Sequence, residues 1–261
     1  MKLVSLNTWG GKVFDPLIEF IKQQSQDTDI FCLQEIYDTP SSLKKYKGIR
    51  ANLLSEIQNL LADFTTLYFP VLGGYDEEGN PVNFEITTGN AIFIKNSIKI
   101  NSSNNYIVYS DPDFKVLKKD FSNFPVPLQY INFNLGDKEF SLFNFHGTSF
   151  PGSKLDSNKR LTAAKKIRKI MDAKKSAKIL AGDFNLLPQT ESIKILGGNM
   201  QNLIHQFSIP RTRSKLSAYY GKPDFQKYAD FIFVSKDIKV LGFQVPQIEI
   251  SDHLPMILEF C

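Results

Sequence analysis

The chain alternates short apolar runs with segments in which apolar residues recur every three to four positions. The runs are typical of buried strands, and the three-to-four spacing is typical of amphipathic helices. Helices are therefore predicted at 13–24, 50–62 and 157–175. Strands are predicted at 2–6, 29–33, 64–71, 90–95, 98–108, 127–135, 139–145, 177–182, 230–235, 238–246 and 255–260.

The order of these elements predicts a mixed α/β protein. A strand–helix–strand unit opens the chain, hairpin-like strands fill the middle, and a further strand–helix–strand unit follows around 157–175. Such an order favours mixed sheets that pack together with helices outside. The sequence contains no internal repeat, linker or low-complexity stretch. We therefore expect residues 1–261 to form a single domain.

Composition and charge exclude only a few classes of protein. Of 261 residues, 42% are hydrophobic and 22% are charged, which excludes wholesale disorder, a collagen-like repeat and a coiled coil. The net charge of +4 permits a polyanionic partner without requiring one. Arginine supplies a planar fork that binds phosphate with two hydrogen bonds, whereas lysine supplies a point charge. Only five arginines are present: Arg50, Arg160, Arg168, Arg211 and Arg213.

The two cysteines and the apolar runs bear on location. Cys32 lies in an apolar run and is predicted to be a core residue, whereas Cys261 ends the chain. They form no disulfide framework, which fits a reducing compartment. The N-terminal apolar run is too short for a signal peptide, and no run approaches the length of a membrane span. We expect a cytoplasmic protein, although a precursor trimmed before this point would look the same.

Polar residues follow or begin many of the predicted strands. Six such points occur, each where an apolar run meets a carboxylate, amide or imidazole. Oxygen ligands of this kind suit a hard cation such as Mg²⁺. Histidine is the side chain best placed for proton transfer near neutral pH. The residues are Asn7, Gln34 and Glu35, His146, Asp183 and Asn185, Asp230, and Asp252 and His253.

Four of these points carry a family resemblance. Leu6-Asn7-Thr8-Trp9, Leu33-Gln34-Glu35, Gly182-Asp183-Phe184-Asn185 and Ser251-Asp252-His253-Leu254-Pro255 resemble the signature blocks of the endonuclease/exonuclease/phosphatase superfamily. They occur in the family's order and extend over nearly the whole chain. The resemblance implies a four-layer α/β sandwich, with two packed mixed sheets flanked by helices and the site at one end.

The resemblance also implies a role for each residue. The metal ligands would be Asn7, Glu35 and Asp252, holding Mg²⁺ with Mn²⁺ as a possible substitute. The catalytic residues would be His146, Asp183, Asn185, Asp230 and His253, with Asp183 acting on the attacking water and Asp230 orienting His253. The substrate phosphate would meet Asn185 and His146. Arg160, Arg211 and Arg213 are the candidate phosphate forks, because the family's middle strand often continues into Ser-Arg, whereas Lys95-Asn96 follows here.

The signature blocks identify a reaction and leave the substrate open. We expect a metal-dependent phosphodiesterase, a nuclease acting on DNA, working as a monomer. The alternatives are a phosphatase or phospholipase C-like hydrolase of a phospholipid, inositol phosphate or nucleotide, and a non-catalytic binding module with the same fold. Specificity is expected in the surrounding loops, at 37–49, 73–89, 110–126, 147–157 and 207–228.

Overall fold

The structure is a computed structural model that describes residues 1–76, 78–111, 114, 116 and 124–261. Most of the loop predicted at 110–126 lies outside these residues. Two six-stranded sheets form the centre of the fold, with strand orders β13-β14-β1-β2-β6-β5 and β11-β12-β10-β9-β8-β7, beside a small β3–β4 hairpin. The strands are β1 Lys2–Asn7, β2 Ile30–Asp38, β3 Lys45–Tyr46, β4 Ile49–Arg50, β5 Phe64–Gly73, β6 Thr87–Lys95, β7 Ile100–Tyr109, β8 Val126–Leu135, β9 Lys138–His146, β10 Ala177–Asp183, β11 Gln201–Asn202, β12 Asp230–Val234, β13 Val240–Gln244 and β14 Met256–Phe260.

The helices cover the outer faces of the two sheets. They are α1 Phe14–Gln24, α2 Leu53–Leu60, α3 Asn158–Asp172, α4 Glu191–Gly197 and α5 Leu203–Gln206, with a 3₁₀ turn at Trp9–Gly11. α1 and α2 pack on one face of the first sheet, where Leu17 and Leu53 meet Val4 and Phe31 in one apolar cluster. α3 and α4 join the cluster of the second sheet. The four-layer α/β sandwich is thus confirmed.

Strand alternation separates the two faces of the first sheet. In β1, Val4 and Leu6 face the helices, whereas Leu3 joins the cluster between the sheets. This follows from the period of two along a strand, which sends successive side chains to opposite faces. Both faces are covered, so these strands are apolar almost throughout.

The second strand differs from its predicted bounds. The apolar run at 29–33 predicted that Gln34 and Glu35 follow the strand, but β2 continues to Asp38. Its pairing with β6 shifts register between Leu33 and Ile36, and Glu35 has a φ of 56° within that irregularity. A bulge of this kind re-aims a side chain without ending the strand. Glu35 therefore lies within a strand, at a break in its ladder.

Two pairs of parallel strands position the site. β1 pairs in parallel with β2, and β9 pairs in parallel with β10. The last matched positions are Asn7 with Gln34 in the first pair and His146 with Asp183 in the second. Ligands of open α/β sheets bind beyond the carboxyl ends of strands. Both parallel pairs point these ends to the same edge of the sandwich.

Candidate active site

A cavity of about 320 Å³ lies at this edge, and polar side chains from both sheets line it. They come from strand ends, from the bulge in β2, from the loops that follow β9 and β10 and from the segments that precede β12 and β14. The lining includes Glu35, His146, Asp183, Arg213, Asp252 and His253. Most of the residues predicted as a site are therefore gathered in one place.

Asn7 joins the two sheets across the bottom of the site. Its Nδ2 donates to Glu35 Oε1 and to Asp183 Oδ2, at 3.0 Å in each case. Its Oδ1 accepts a hydrogen bond from the Trp9 backbone N at 2.9 Å. In this orientation the amide nitrogen, and not the oxygen, faces the carboxylates. Asn7 consequently positions Glu35 in this structure, and a role as a metal ligand would require its amide to rotate.

Glu35 reaches the cavity because of the bulge in β2. Thr8 Oγ1 donates to the backbone oxygens of Gln34 and Glu35, at 2.9 and 3.1 Å, and so holds the irregular segment against β1. The Glu35 side chain keeps 35% of its surface exposed. Within the described part of the chain, its carboxylate hydrogen-bonds Asn7 and lies 3.8 Å from His146 Nε2. This carboxylate has no lysine or arginine within ion-pair distance among those residues.

Asp183 ends β10 and is enclosed by donors. Asn185 donates its backbone N to Asp183 Oδ1 at 2.8 Å and its Nδ2 to Oδ2 at 2.9 Å. His146 Nε2 and His253 Nε2 lie 3.7 and 3.6 Å from Oδ2. Burial raises the pKa of Asp183, but the two imidazoles and two nearby cations lower it overall. The group is thus held as a carboxylate, able to accept a proton or orient a water.

The turn that carries Asp183 requires glycine before it. Gly182 has a φ of 141°, and a Cβ added there would lie 1.9 Å from the Phe145 backbone oxygen. Any larger residue would force β9 and β10 apart. The Gly-Asp pair recognised in the sequence therefore has a packing reason as well as a chemical one.

His253 and Asp230 form a buried pair. His253 Nδ1 lies 2.9 and 3.0 Å from the two Asp230 carboxylate oxygens, which leaves Nε2 facing Asp183. Burial and a nearby guanidinium lower the pKa of His253, but three surrounding carboxylates outweigh them and raise it to about 9. The pair holds the ring in one orientation, as a carboxylate does for histidine in other hydrolases.

An isolated antiparallel β-bridge pairs the backbone of Arg213 with that of His253 and so brings Arg213 to the cavity. Its Nη1 donates to Asp252 Oδ2 at 2.9 Å, and its Nη2 lies 3.5 Å from Asn185 Oδ1. The predicted phosphate fork is therefore beside the cluster, with one nitrogen committed to Asp252.

Lys154 is a cavity residue that the sequence did not indicate. Its Nζ donates to Asn185 Oδ1 and to the Ser149 backbone oxygen, at 2.7 Å in each case. Burial, followed by the charge of Arg213, lowers the pKa of Lys154 to about 8, so the ammonium remains the main form at pH 7. Nothing in the sequence separates it from the other 25 lysines, because its position depends on the path of a loop.

Arg160 does not reach the cluster. Its side chain is buried at the start of α3, where Nη2 donates to the backbone oxygens of Thr148 and Pro151 at 3.1 and 2.9 Å. Nη1 donates to the Leu155 backbone oxygen. The guanidinium holds the 147–157 loop by these hydrogen bonds. A phosphate fork would have to line the cavity, and Arg160 does not.

The carboxylates of the site fit a hard divalent cation. Asp230 is committed to His253, Asp252 shares Arg213, and Asp183 is satisfied by Asn7 and Asn185. Asp183, Asp230 and His253 also offer ligand atoms within 4.8 Å of one another. Because those three residues already hydrogen-bond or face one another, Glu35, which accepts fewer hydrogen bonds, is the better ligand for a cation. Oxygen donors completed by water and phosphate are what Mg²⁺ prefers.

The sequence profile of the Endonuclease/Exonuclease/phosphatase family matches residues 4–253. The chain belongs to this family. The resemblance seen in the signature blocks is thus confirmed, and with it an enzyme family that hydrolyses phosphoester bonds. Curated protein sequences contain no match to the chain.

Solved structures of the family share the fold. A mannosyl-6-phosphatase of Bacteroides thetaiotaomicron is 18% identical with a TM-score of 0.70, over 100% of this chain and 99% of that one. The human Nocturnin catalytic domain, with bound sulfate, is 16% identical with a TM-score of 0.67, over 100% and 94%. Truncated Caenorhabditis elegans TDP2 is 16% identical with a TM-score of 0.63, over 99% and 96%.

These identities are too low to carry more than the fold. They leave the substrate open, since the three proteins bear different names within one architecture.

Among the helices of the described residues, none is long and apolar enough to cross a membrane.

Proposed function

We propose that the protein is a divalent-metal-dependent hydrolase of phosphoester bonds. The observation that carries the proposal is the convergence of Glu35, Asp183 and the His253–Asp230 pair on one cavity, joined across the sheets by Asn7. Phosphoester hydrolysis needs an aligned water, neutralised phosphoryl oxygens and a stabilised leaving oxygen. Each of these tasks has a candidate group on the cavity wall.

Glu35 would hold Mg²⁺, or Mn²⁺ as a substitute, with Asp252 and Asn7 nearby. The bound cation would supply charge neutralisation at the phosphoryl oxygens. Asp183 would orient the attacking water and take its proton. His253, held by Asp230, would contact the scissile phosphate, and His146 would contact a phosphoryl oxygen from the other side of Asp183.

The substrate has two candidates. DNA is the prediction from the sequence, whereas the far wall of the cavity favours a smaller phosphoester. That wall is built from Trp9, Tyr37, Val71, Leu72, Pro127 and the buried carboxylate of Asp76. Two cations beside it are already engaged, because Lys47 Nζ pairs with Asp76 Oδ2 at 2.8 Å and Lys12 Nζ lies 4.5 Å from the centroid of the Trp9 ring. A bound nucleic-acid strand needs cations along its backbone. A compact sugar or aromatic leaving group suits such a wall better.

A substrate panel with a metal control tests these proposals. Plasmid DNA, an abasic duplex, RNA, inositol phosphates, sugar phosphates and bis-p-nitrophenyl phosphate would be assayed with Mg²⁺, with EDTA and after Mg²⁺ is restored. Turnover that EDTA abolishes and Mg²⁺ restores is expected. Turnover unaffected by EDTA would contradict the proposed dependence on a divalent metal. The absence of turnover with every substrate would favour the non-catalytic binding module.

Three properties stay predictions from the sequence. They are a single catalytic domain over residues 1–261, a monomeric state and a cytoplasmic location. Light scattering of the purified protein tests the second, and microscopy of a tagged protein in its own cell tests the third.

A further inference from the structure

The side-chain amide of Asn185 has no hydrogen left for a substrate in this structure. Its Nδ2 donates to the Gly147 backbone oxygen at 3.0 Å and to Asp183 Oδ2 at 2.9 Å. A primary amide has two N–H donors, so both are used. Asn185 itself is buried and has a φ of 52° in the turn after β10, which fixes the amide in place. Any additional donor to a phosphoryl group would therefore come from another residue of the cavity.

The amide oxygen of Asn185 faces two cations instead. Lys154 Nζ donates to it at 2.7 Å, and Arg213 Nη2 lies 3.5 Å away. An ammonium carries three N–H donors, and Lys154 uses two of them, on Asn185 and on Ser149. Arg213 uses Nη1 on Asp252, which leaves further N–H groups on its guanidinium. Both residues line the cavity that also contains Glu35 and His253.

The loop that carries Lys154 is held by several bonds before any ligand arrives. The buried Arg160 guanidinium donates to Thr148 and Pro151, and the Leu187 backbone N donates to the Lys154 backbone oxygen at 3.0 Å. Gln226 Nε2 donates to the Gly152 oxygen at 2.8 Å, which ties the loop to the 207–228 loop. A donor fixed in advance loses less conformational entropy on binding.

We propose that Lys154 and Arg213 form a phosphoryl-binding pair in the cavity, and that the amide oxygen of Asn185 holds these two cations together. The ligand class is a phosphoryl group, in a phosphoester substrate or in inorganic phosphate. The proposal rests on the proposed function, because it concerns the same cavity. It assigns to Lys154 a contact with substrate that the sequence did not indicate.

The test measures binding of inorganic phosphate by calorimetry, which requires no turnover. Lys154→Met keeps the length of the side chain but removes the charge, and Lys154→Gln keeps a hydrogen-bond donor without charge. Lys154→Arg keeps both. The matched control is Lys165→Met, because Lys165 is an exposed lysine on α3 away from the cavity.

We expect Lys154→Met and Lys154→Gln to raise the Kd of phosphate by roughly 10-fold to 100-fold, the usual effect of losing a charged hydrogen bond. Lys154→Arg should recover part of the affinity, and Lys165→Met should bind as wild type does. Unchanged affinity in Lys154→Met would overturn the proposal. So would wild-type affinity in Lys154→Gln, since a neutral donor would then suffice and Lys154 would only tether the loop.

Steady-state kinetics separate this proposal from the proposed function. With a substrate found in the panel, Lys154→Met should raise KM more than it lowers kcat, because a contact made in the bound substrate is lost. Hydrolysis by wild type with an unchanged KM in Lys154→Met would leave the function standing and remove the pair. Phosphate binding weakened in Lys154→Met, without hydrolysis of any phosphoester, would leave the pair standing and remove the function.

Discussion

The two ends of the sandwich are made by the same strands and differ in chemistry. Where β9 and β10 begin, Phe140 stacks on Phe133 at 5.5 Å between ring centroids and meets Phe260 edge-on at the same distance. Where these strands end, His146 and Asp183 lie side by side at the cavity. Six residues along a strand thus lead from aromatic packing to titratable groups.

A buried polar layer separates the two ends. Gln34 Nε2 donates to Asn144 Oδ1 across the sheets at 2.7 Å, and Asn144 Nδ2 donates to the backbone oxygens of Leu33 and Ala91 at 3.2 and 3.3 Å. Gln34 precedes Glu35, and Asn144 is two residues before His146. Apolar contacts are non-directional, whereas hydrogen bonds fix distances and angles. Apolar packing therefore holds the sheets together, whereas this polar layer aligns the segments that carry the site.

The largest effect on turnover is expected at the site end. Glu35→Gln keeps the size of the side chain and removes its charge, so cation binding should fail while the fold is retained. We expect kcat/KM to fall by about 10²- to 10³-fold, measured with the best substrate over a Mg²⁺ titration. The control is Glu139→Gln, an exposed glutamate at the other end of β9. Near-wild-type turnover in Glu35→Gln would contradict the role of Glu35.

A smaller effect is expected in the polar layer. Asn144→Leu removes the side-chain acceptor of Gln34 Nε2 and leaves it the Cys32 backbone oxygen at 3.1 Å, so we expect turnover to fall by about 10-fold, as for other supporting contacts. The free energy of unfolding should fall by about 1–3 kcal/mol. The double variant Gln34→Leu with Asn144→Leu should regain stability but not turnover, since two apolar partners need no hydrogen bond. Full turnover in Asn144→Leu would show that the layer does not align the site.

The buried His253 should make the stability of the metal-free protein depend on pH. Its pKa is raised to about 9 in the folded state, against 6.5 for an ordinary histidine. The protonated ring therefore stabilises the fold fully below pH 6.5, and this contribution is lost as pH rises through 9. Lys154 has the opposite sign: its pKa of about 8 disfavours folding at lower pH, and that penalty is relieved above pH 8.

Denaturant unfolding in EDTA, compared between wild type and His253→Gln, isolates the histidine. The difference in the free energy of unfolding between the two proteins should shrink as pH rises from 6.5 to 9. A difference that stays constant over this range would show that the carboxylates around His253 do not raise its pKa.

The smallest effect on turnover is expected at the aromatic end. Phe140→Leu removes a ring that contacts Phe133 and Phe260, which should lower the free energy of unfolding by roughly 0.5–3 kcal/mol. Turnover of the folded protein should remain within about two-fold of wild type, because no hydrogen bond of the polar layer is lost. A large loss of kcat with an unchanged unfolding midpoint would mean that the two ends are not independent.

Strand and helix types were predictable because they depend on local periodicity. The predicted helices at 13–24 and 157–175 correspond to α1 and α3, and the last two predicted strands correspond to β13 and β14. The short helix α4 was not predicted, since an element of a few residues hardly shows a period. The Cys32 side chain is buried as expected, in the cluster between the sheets.

By itself the sequence determined the family and, through the family resemblance, the sandwich, and it located His146, Asp183 and Asp230 at strand ends, because those signals lie in short contiguous motifs. Only the tertiary structure determined which of those side chains hydrogen-bond to one another. Asn7 and Asp183 are 176 residues apart and hydrogen-bond at 3.0 Å. Lys154 donates to Asn185, whereas Arg160, on α3, donates to the backbone of the 147–157 loop. The path of that loop depends on buried backbone oxygens that need hydrogen-bond donors. Such contacts depend on distances between sheets, which no local pattern encodes.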